Sequence, residues 1–487
     1  VPTKVTARYV LGHHNGRHVL LENACVVYSG HTIEYVGHDY TGPVDEERRL
    51  GDALLMPGLI DLDALTDIDH LILDSWAGAE QAKGHQWSED YFRNRADVFT
   101  AEERQQIREY ALIQLVLHGI TTYMPIASEV HSEWAEPLEE LVGMAETSSR
   151  LGLRAFLGPA YRSGVNVVLD TGERSVMFDD DRGRDGLADA LRFIDHANEL
   201  RDPLVNAVLL PCRIETLDIE LLKATAAAAS ERNVLVRLHS LQGLVERELI
   251  LDWHGVTPLE LLDQVGLLNE RLLIPHATYT DRNPAVHGED RGDLARLADS
   301  GASIIHCPLT SMRYGSTLDS FNAYKEAGIN ISLGTDSFPP DLIRGIDAGV
   351  QLAKILAGTN DAGDVAGYID AATLGGAHAL RRPDLGRLEP GAQADMVAFS
   401  LADIRDGVHD DPLRTLLLNG TARQAVLSVV AGRTIMADGV IAGVDLDHWR
   451  LKGQELFEKM RSAYTVRDAR NRPADELFPP VYARLER

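Results

Sequence analysis

A chain of 487 residues is too long for one ordinary core and too short for four, so one large barrel with a smaller appendage, or two similar domains, is expected. The formal net charge of -27 disfavours nucleic acid and anionic lipid as partners and makes a neutral or cationic small molecule an easier substrate than a polyanion. No apolar run approaches the roughly 18 uncharged residues of a membrane helix, the first residues lack a signal-peptide layout, and Cys25, Cys212 and Cys307 are too few and scattered for a disulfide framework. The expectation is a cytoplasmic protein.

Residues 1–56 read as short strands, His18–Leu21, Cys25–Tyr28 and Thr32–Gly37, with Asn23 and Gly30 as breaks. Alone they make too little core. Asp395–Phe399 and Gln424–Ile435 read the same way, so residues 1–56 and 391–444 are predicted to form one small β-sandwich around an inserted domain. From 57 to 390 strand-like runs alternate with helical stretches. After the opening strand, which starts around Met56-Pro57 and ends at Asp63, the runs are Gly119–Met124, Arg154–Gly158, Ala207–Leu210, Val234–Leu238, Leu272–Ile274, Ala302–Ile305 and Asn330–Leu333. Eight strand-helix units predict an α/β fold of the (β/α)8, or TIM-barrel, type, with its site at the C-terminal strand ends. An arm over 445–487 is predicted to hold a helix around Trp449–Tyr464, placed on a partner subunit or left in solvent.

Unusual residues collect at the predicted strand ends. Asp63 ends the first, Cys212 follows the fourth, His239 the fifth, His276 the sixth, His306-Cys307-Pro308 the seventh and Gly334-Thr335-Asp336-Ser337 the eighth. Each has a plain structural explanation when taken singly, as a hydrogen-bonded histidine or a helix-capping aspartate. On successive strands of one barrel they converge on a single mouth.

These motifs, with Pro57-Gly58-Leu59-Ile60-Asp61, His118-Gly119-Ile120-Thr121-Thr122, Gly386-Arg387-Leu388-Glu389-Pro390-Gly391 and Val429-Val430-Ala431-Gly432-Arg433, resemble in order and spacing the deaminase and chlorohydrolase branch of the amidohydrolase superfamily. The resemblance implies one divalent transition metal, zinc first and iron, cobalt or manganese as alternatives, that acidifies a bound water and polarises the scissile group. By position it implies His239 as a ligand, Asp336 as ligand and proton acceptor, and His276 as ligand or as the donor that polarises the substrate. It also implies a homo-oligomer, a dimer being common in the family. No barrel lysine, Lys83, Lys223, Lys325 or Lys354, sits at a predicted strand end to bridge a second metal.

Two positions depart from the family pattern. Asp63-Ala64-Leu65 stands where His-x-His is usual; Asp63 can still ligate through oxygen, Leu65 cannot, and Asp67, Asp69 and His70 lie just beyond as further candidates. Gln242 stands where the deaminases usually carry a proton-shuttling glutamate, and an amide can hold a water or a substrate oxygen but cannot shuttle protons. Ring deamination is thereby disfavoured, and hydrolysis of an amide, urea or carbamate stays open. The departures are similar to those of hydrolases of synthetic ureas and thiocarbamates. Trp76, His85, Trp87, Tyr91 and Phe92 are candidates for an aromatic wall, against ordinary loop packing, and Arg313 and Tyr314 for substrate contacts. The sequence thus predicts a metal-dependent hydrolase of a small molecule's non-peptide carbon-nitrogen bond, with Asp336, His276 and Gln242 catalytic and His239, His276, Asp336 and Asp63 as ligands. The alternatives are an aminohydrolase or a metal-free barrel used for binding or assembly.

Overall fold

The computed structural model describes residues 2–68, 87–127 and 131–485. The N-terminal region contributes β1 (Pro2–His14), β2 (Arg17–Ser29), β3 (Thr32–Gly37), β4 (Glu46–Arg49) and β5 (Ala53–Pro57). The middle contributes β6 (Leu59–Ala64), β7 (Ile120–Pro125), β8 (Arg154–Leu157), β9 (Ala160–Tyr161), β10 (Gly164–Val168), β11 (Arg174–Phe178), β12 (Val205–Ala207), β13 (Leu210–Pro211), β14 (Val236–Arg237), β15 (Leu272–Pro275), β16 (Ser303–His306) and β17 (Asn330–Leu333). Towards the C-terminus come β18 (Met396–Ser400), β19 (Ala425–Val430) and β20 (Arg433–Ala437).

Both chain ends meet in one mixed eight-stranded sheet, ordered β20-β19-β18-β5-β1-β2-β3 with β4 on β1. The junction is antiparallel, Met396 facing Pro57 and Phe399 facing Leu54. Strand alternation gives this sheet two apolar faces. Tyr9, Leu54, Met56, Val397 and Phe399 join the main core, while Val10, Leu55, Met396 and Ala398 pack with Val5, Val26 and Val429 in a second one. The meeting of the two ends was legible in the sequence. The long β1 was not, because its polar residues hide the pattern, and Asn23 does not end β2: it takes a left-handed backbone, φ 51°, and the strand continues past it.

In the middle, strands and helices alternate as expected, and the strands pair in parallel as β12-β8-β7-β6 and β14-β15-β16-β17. Single parallel bridges, Leu209 with Val236 and Arg213 with His239, connect the two sheets on one flank. On the other, Asp61 at β6 accepts hydrogen bonds from Thr335 N (3.0 Å) and Thr335 Oγ1 (2.7 Å), just past β17. Ile60, Leu62, Met124, Phe156, Leu273, Ile305 and Cys307 fill a shared interior. The run read as one strand at Ala207–Leu210 divides into β12 and β13, and the link between them passes so close to β8 that a Cβ on Gly158 would lie 2.2 Å from Val208 O. Hairpin β10-β11 is an insertion that the sequence did not reveal.

The C-terminal arm packs on its own chain. Leu456 and Met460 of helix Leu446–Ser462, with Tyr464 and Phe478, bury against Ile68, Phe99 and Ile107. Ser88 N donates to Arg467 O at 2.9 Å, which ties the arm to the segment after residue 86. Among the described residues no helix is long and apolar enough to cross a membrane.

Candidate metal centre

Five carboxylate, imidazole and thiol residues come from the ends of different strands. Asp63 sits near the end of β6, where its ladder with β7 shifts between Asp61 and Ala64. His239 follows β14, His276 follows β15, Cys307 follows β16 and Asp336 follows β17. All five are buried. Two overlapping groups, Asp63 with His239 and His276, and His276 with Cys307 and Asp336, bring their donor atoms within 4.8 Å of one another. The backbone bends sharply to achieve this: His276 (φ 68°) and Asp336 (φ 47°) are left-handed, a conformation that costs a non-glycine residue about 1–3 kcal/mol and persists only where the surroundings impose it. Here Ile305 O accepts from His276 N and Asp63 O from Asp336 N, each at 2.8 Å.

The donor chemistry fits a cation. His239 Nδ1 lies 3.1 Å from Cys212 O, and because a carbonyl only accepts, that nitrogen carries a hydrogen and Nε2 is the atom left to offer a lone pair to a cation or a proton to Asp63. Nε2 faces Asp63 Oδ2 at 3.4 Å, so two electron-rich atoms confront each other across a gap that a cation or a proton would bridge. His276 Nε2 is 3.6 Å from Asp336 Oδ2, is buried and has no hydrogen-bond partner. Burial, with His239 adding to it, lowers His276 to about 3, which leaves a neutral imidazole at neutral pH. Burial pushes Asp63 up, but His239 and Arg237 outweigh it and hold its carboxyl below the usual range. Burial and then the neighbouring aspartates raise the Cys307 thiol.

Above the donors opens a cavity of about 510 Å³. His239, His276, Asp336 and Gln242 reach its wall, as do Trp87, Phe92 and Tyr314; Tyr91 is buried behind, its hydroxyl on Ala96 O at 2.6 Å. Asp67 also lines the cavity. Asp69, His70, Trp76 and His85 lie outside the described residues. Arg313 is not among the lining residues, and Leu65 is buried, donating its backbone N–H to Thr335 Oγ1 at 3.0 Å. His306, grouped with the other strand-end residues by sequence, turns the opposite way along β16 and packs by Phe321 and Tyr368, with burial lowering it to about 3.

Residues without a motif complete the surroundings. Arg237, two before His239 and so on the same strand face, places Nη1 3.0 Å from Asp63 Oδ1. Arg213 donates to Gln242 Oε1. Since an arginine only donates, the amide must turn its oxygen to Arg213 and its N–H group elsewhere. Glu246 accepts from Leu241 N (2.6 Å) and Gln242 N (3.1 Å), bracing this turn, and burial, then Glu215, raises it to about 8. Parity could have flagged Arg237; Arg213 and Glu246 carry no sequence signal.

Parallel strands that gather buried donors at their C-terminal ends, under a cavity, define an α/β enzyme. Residues 54–444 match the model of the Amidohydrolase family, and the chain belongs to that family. It is 28% identical over 407 residues to the 5-methylthioadenosine/S-adenosylhomocysteine deaminase of Halobacterium salinarum, covering 82% of this chain and 85% of that one. It is 28% identical over 353 residues to the 8-oxoguanine deaminase of Pseudomonas aeruginosa, covering 71% and 75%. Among solved structures, an adenosine deaminase from Xanthomonas campestris with bound zinc superposes with a TM-score of 0.75 at 22% identity, over 94% of this chain and 98% of that one. Atrazine chlorohydrolase from Arthrobacter aurescens TC1, complexed with zinc, gives 0.74 at 20% identity over 93% and 99%.

Proposed function

We propose that the chain is a metal-dependent hydrolase of a non-peptide carbon-nitrogen bond, of amide, urea or carbamate type, in a small organic molecule. The observation that carries this is the buried set of donors under the cavity, with lone-pair atoms of His239 and Asp63 facing each other at 3.4 Å. Asp63, His239, His276 and Asp336 would hold one divalent ion, zinc first because zinc-loaded neighbours share the fold. When bound, such an ion polarises the scissile group and acidifies water. The Asp336 carboxylate takes the proton of the attacking water and returns it to the leaving amine. His276, if it is not a ligand, donates to the oxygen on which charge develops. Gln242, its oxygen engaged by Arg213, presents N–H to a substrate oxygen. It has no proton to give, which sets this site apart from one built for ring deamination.

The same reading takes the two parallel sheets as arcs of one (β/α)8 barrel over residues 57–390, with 1–56 plus 391–444 as the sandwich domain and 445–487 as the arm. The Asp63–Arg237 ion pair favours a second reading, a metal-free binding barrel, because it gives Asp63 a counter-charge without any ion. Metal analysis of protein purified without chelators separates the two. One equivalent of transition metal, lost in His239→Ala together with hydrolysis of an aryl amide, urea and carbamate panel, is expected. Well under one equivalent in the unaltered protein, with activity indifferent to H239A, would sink the hydrolase reading.

A further inference from the structure

Arg237 is buried to within 1% of full enclosure and points from β14 across the shared interior towards the opposite sheet. One nitrogen, Nη1, meets three oxygens there: Asp63 Oδ1 at 3.0 Å, Leu62 O at 3.3 Å and Met124 O at 3.5 Å. The two carbonyls belong to β6 and β7 and take hydrogen bonds. Oδ1 is at ion-pair distance but out of line for a hydrogen bond, so its attraction to Arg237 is one of charge.

That contact divides the work of the carboxylate. Oδ1 is turned down to Arg237, and Oδ2 is left facing His239 Nε2 at 3.4 Å and Cys307 Sγ at 3.8 Å. The side chain has little freedom to turn otherwise. Gly334 backs onto it so closely that a Cβ there would lie 2.6 Å from Asp63 Cβ, and Asp63 O is held by Asp336 N. A carboxylate with both oxygens free can swing between one-oxygen and two-oxygen coordination; one anchored through Oδ1 offers a single oxygen in a fixed direction.

We propose that Arg237 is the positioning residue that makes Asp63 a one-oxygen donor of the metal centre, an inference that rests on the metal-site reading above. Only a long, permanently charged side chain with several donors can satisfy two backbone carbonyls and still neutralise Oδ1 at this depth. Arg237 does not touch the reacting atoms and acts through Asp63.

The test uses the full chain, stripped with a chelator, and zinc alone as the probe, titrated against a chromophoric competitor. Arg237→Met is expected to bind zinc about 10- to 100-fold more weakly than the unaltered protein. The visible spectrum of its cobalt(II) form is expected to change, since the oxygen donor is no longer fixed. Arg237→Lys, which keeps a cation by Oδ1, is expected to recover most of the affinity. If R237M does not fold, Arg237→Gln, which keeps donors for the Leu62 and Met124 carbonyls but no charge, is expected to show the same loss. Zinc affinity and cobalt spectrum equal to those of the unaltered protein, in a folded R237M or R237Q, overturn the positioning role and leave the metal site standing. Failure of the unaltered protein to take up zinc overturns both.

Discussion

A carboxylate oxygen and an imidazole lone pair buried 3.4 Å apart repel each other unless positive charge comes between them, and the pair Asp63 and His239 is in that position. The fold places Arg237 behind Asp63, which keeps the carboxylate ionised without occupying the gap. Glu246 illustrates the opposite solution, a buried acid that stays protonated. Its folded-state pKa, pushed up to about 8, lies above the ordinary glutamate value of 4.5, so between those values the folded chain holds a proton that the unfolded chain releases. Stability therefore falls as pH rises through this window, by at most about 1.4 kcal/mol per pH unit from this group. Urea melts of Glu246→Gln between pH 5 and 8 are expected to show a shallower decline than the unaltered protein. An equal slope would mean that Glu246 is ionised throughout.

Among the elements, the C-terminal helix has the most direct bearing on the cavity. Met460 is fully buried with Leu456, Tyr464 and Phe478, and the same cluster includes Ile68, five residues past Asp63. Trp87, on the cavity wall, pairs across a bridge with Asp468, and Val168 N of β10 donates to Trp87 O at 2.8 Å. The arm thereby supports one side of the cavity. Met460→Ala removes packing at no catalytic atom, and a loss of about 2–5 kcal/mol is expected, read as a lower urea midpoint with zinc stoichiometry unchanged. A midpoint unaltered within error would show that the helix docks too loosely to matter.

At the scale of the whole molecule, metal binding and folding share one free energy. The donors come from β6 and from the ends of β14, β15, β16 and β17, so they converge only when both parallel sheets are in place. An ion that binds the folded chain alone stabilises it by about 2.7 kcal/mol at a hundred times its dissociation constant. Chelation is therefore expected to lower Tm and stoichiometric zinc to restore it, followed by calorimetry. A Tm indifferent to both would count against an ion in the folded protein.

Much of this was legible in the chain because it is local. Short apolar or β-branched runs at Cys25–Tyr28, Asp395–Phe399 and Asn330–Leu333 mark strands, and a polar residue at or shortly after the end of such a run marks a strand end. His239, His276, Asp336 and Asp63 were found in that way, and the structure brings these four together with Cys307. Other features depend on distant partners. Whether His306 or Cys307 faces the donors turns on how β16 sits between β15 and β17, and Asn23 interrupts β2 without ending it because the neighbouring strands carry the ladder past it. The sequence by itself determined the alternation of strand-like and helical stretches between residues 57 and 390 and the residue types at the strand ends, since these follow from local side-chain pattern. Only the tertiary structure decided that Arg237 stands behind Asp63, that Arg213 orients Gln242 and that the C-terminal arm folds onto its own chain, because each is a contact between residues remote in sequence whose strength exists only once water has been excluded around it.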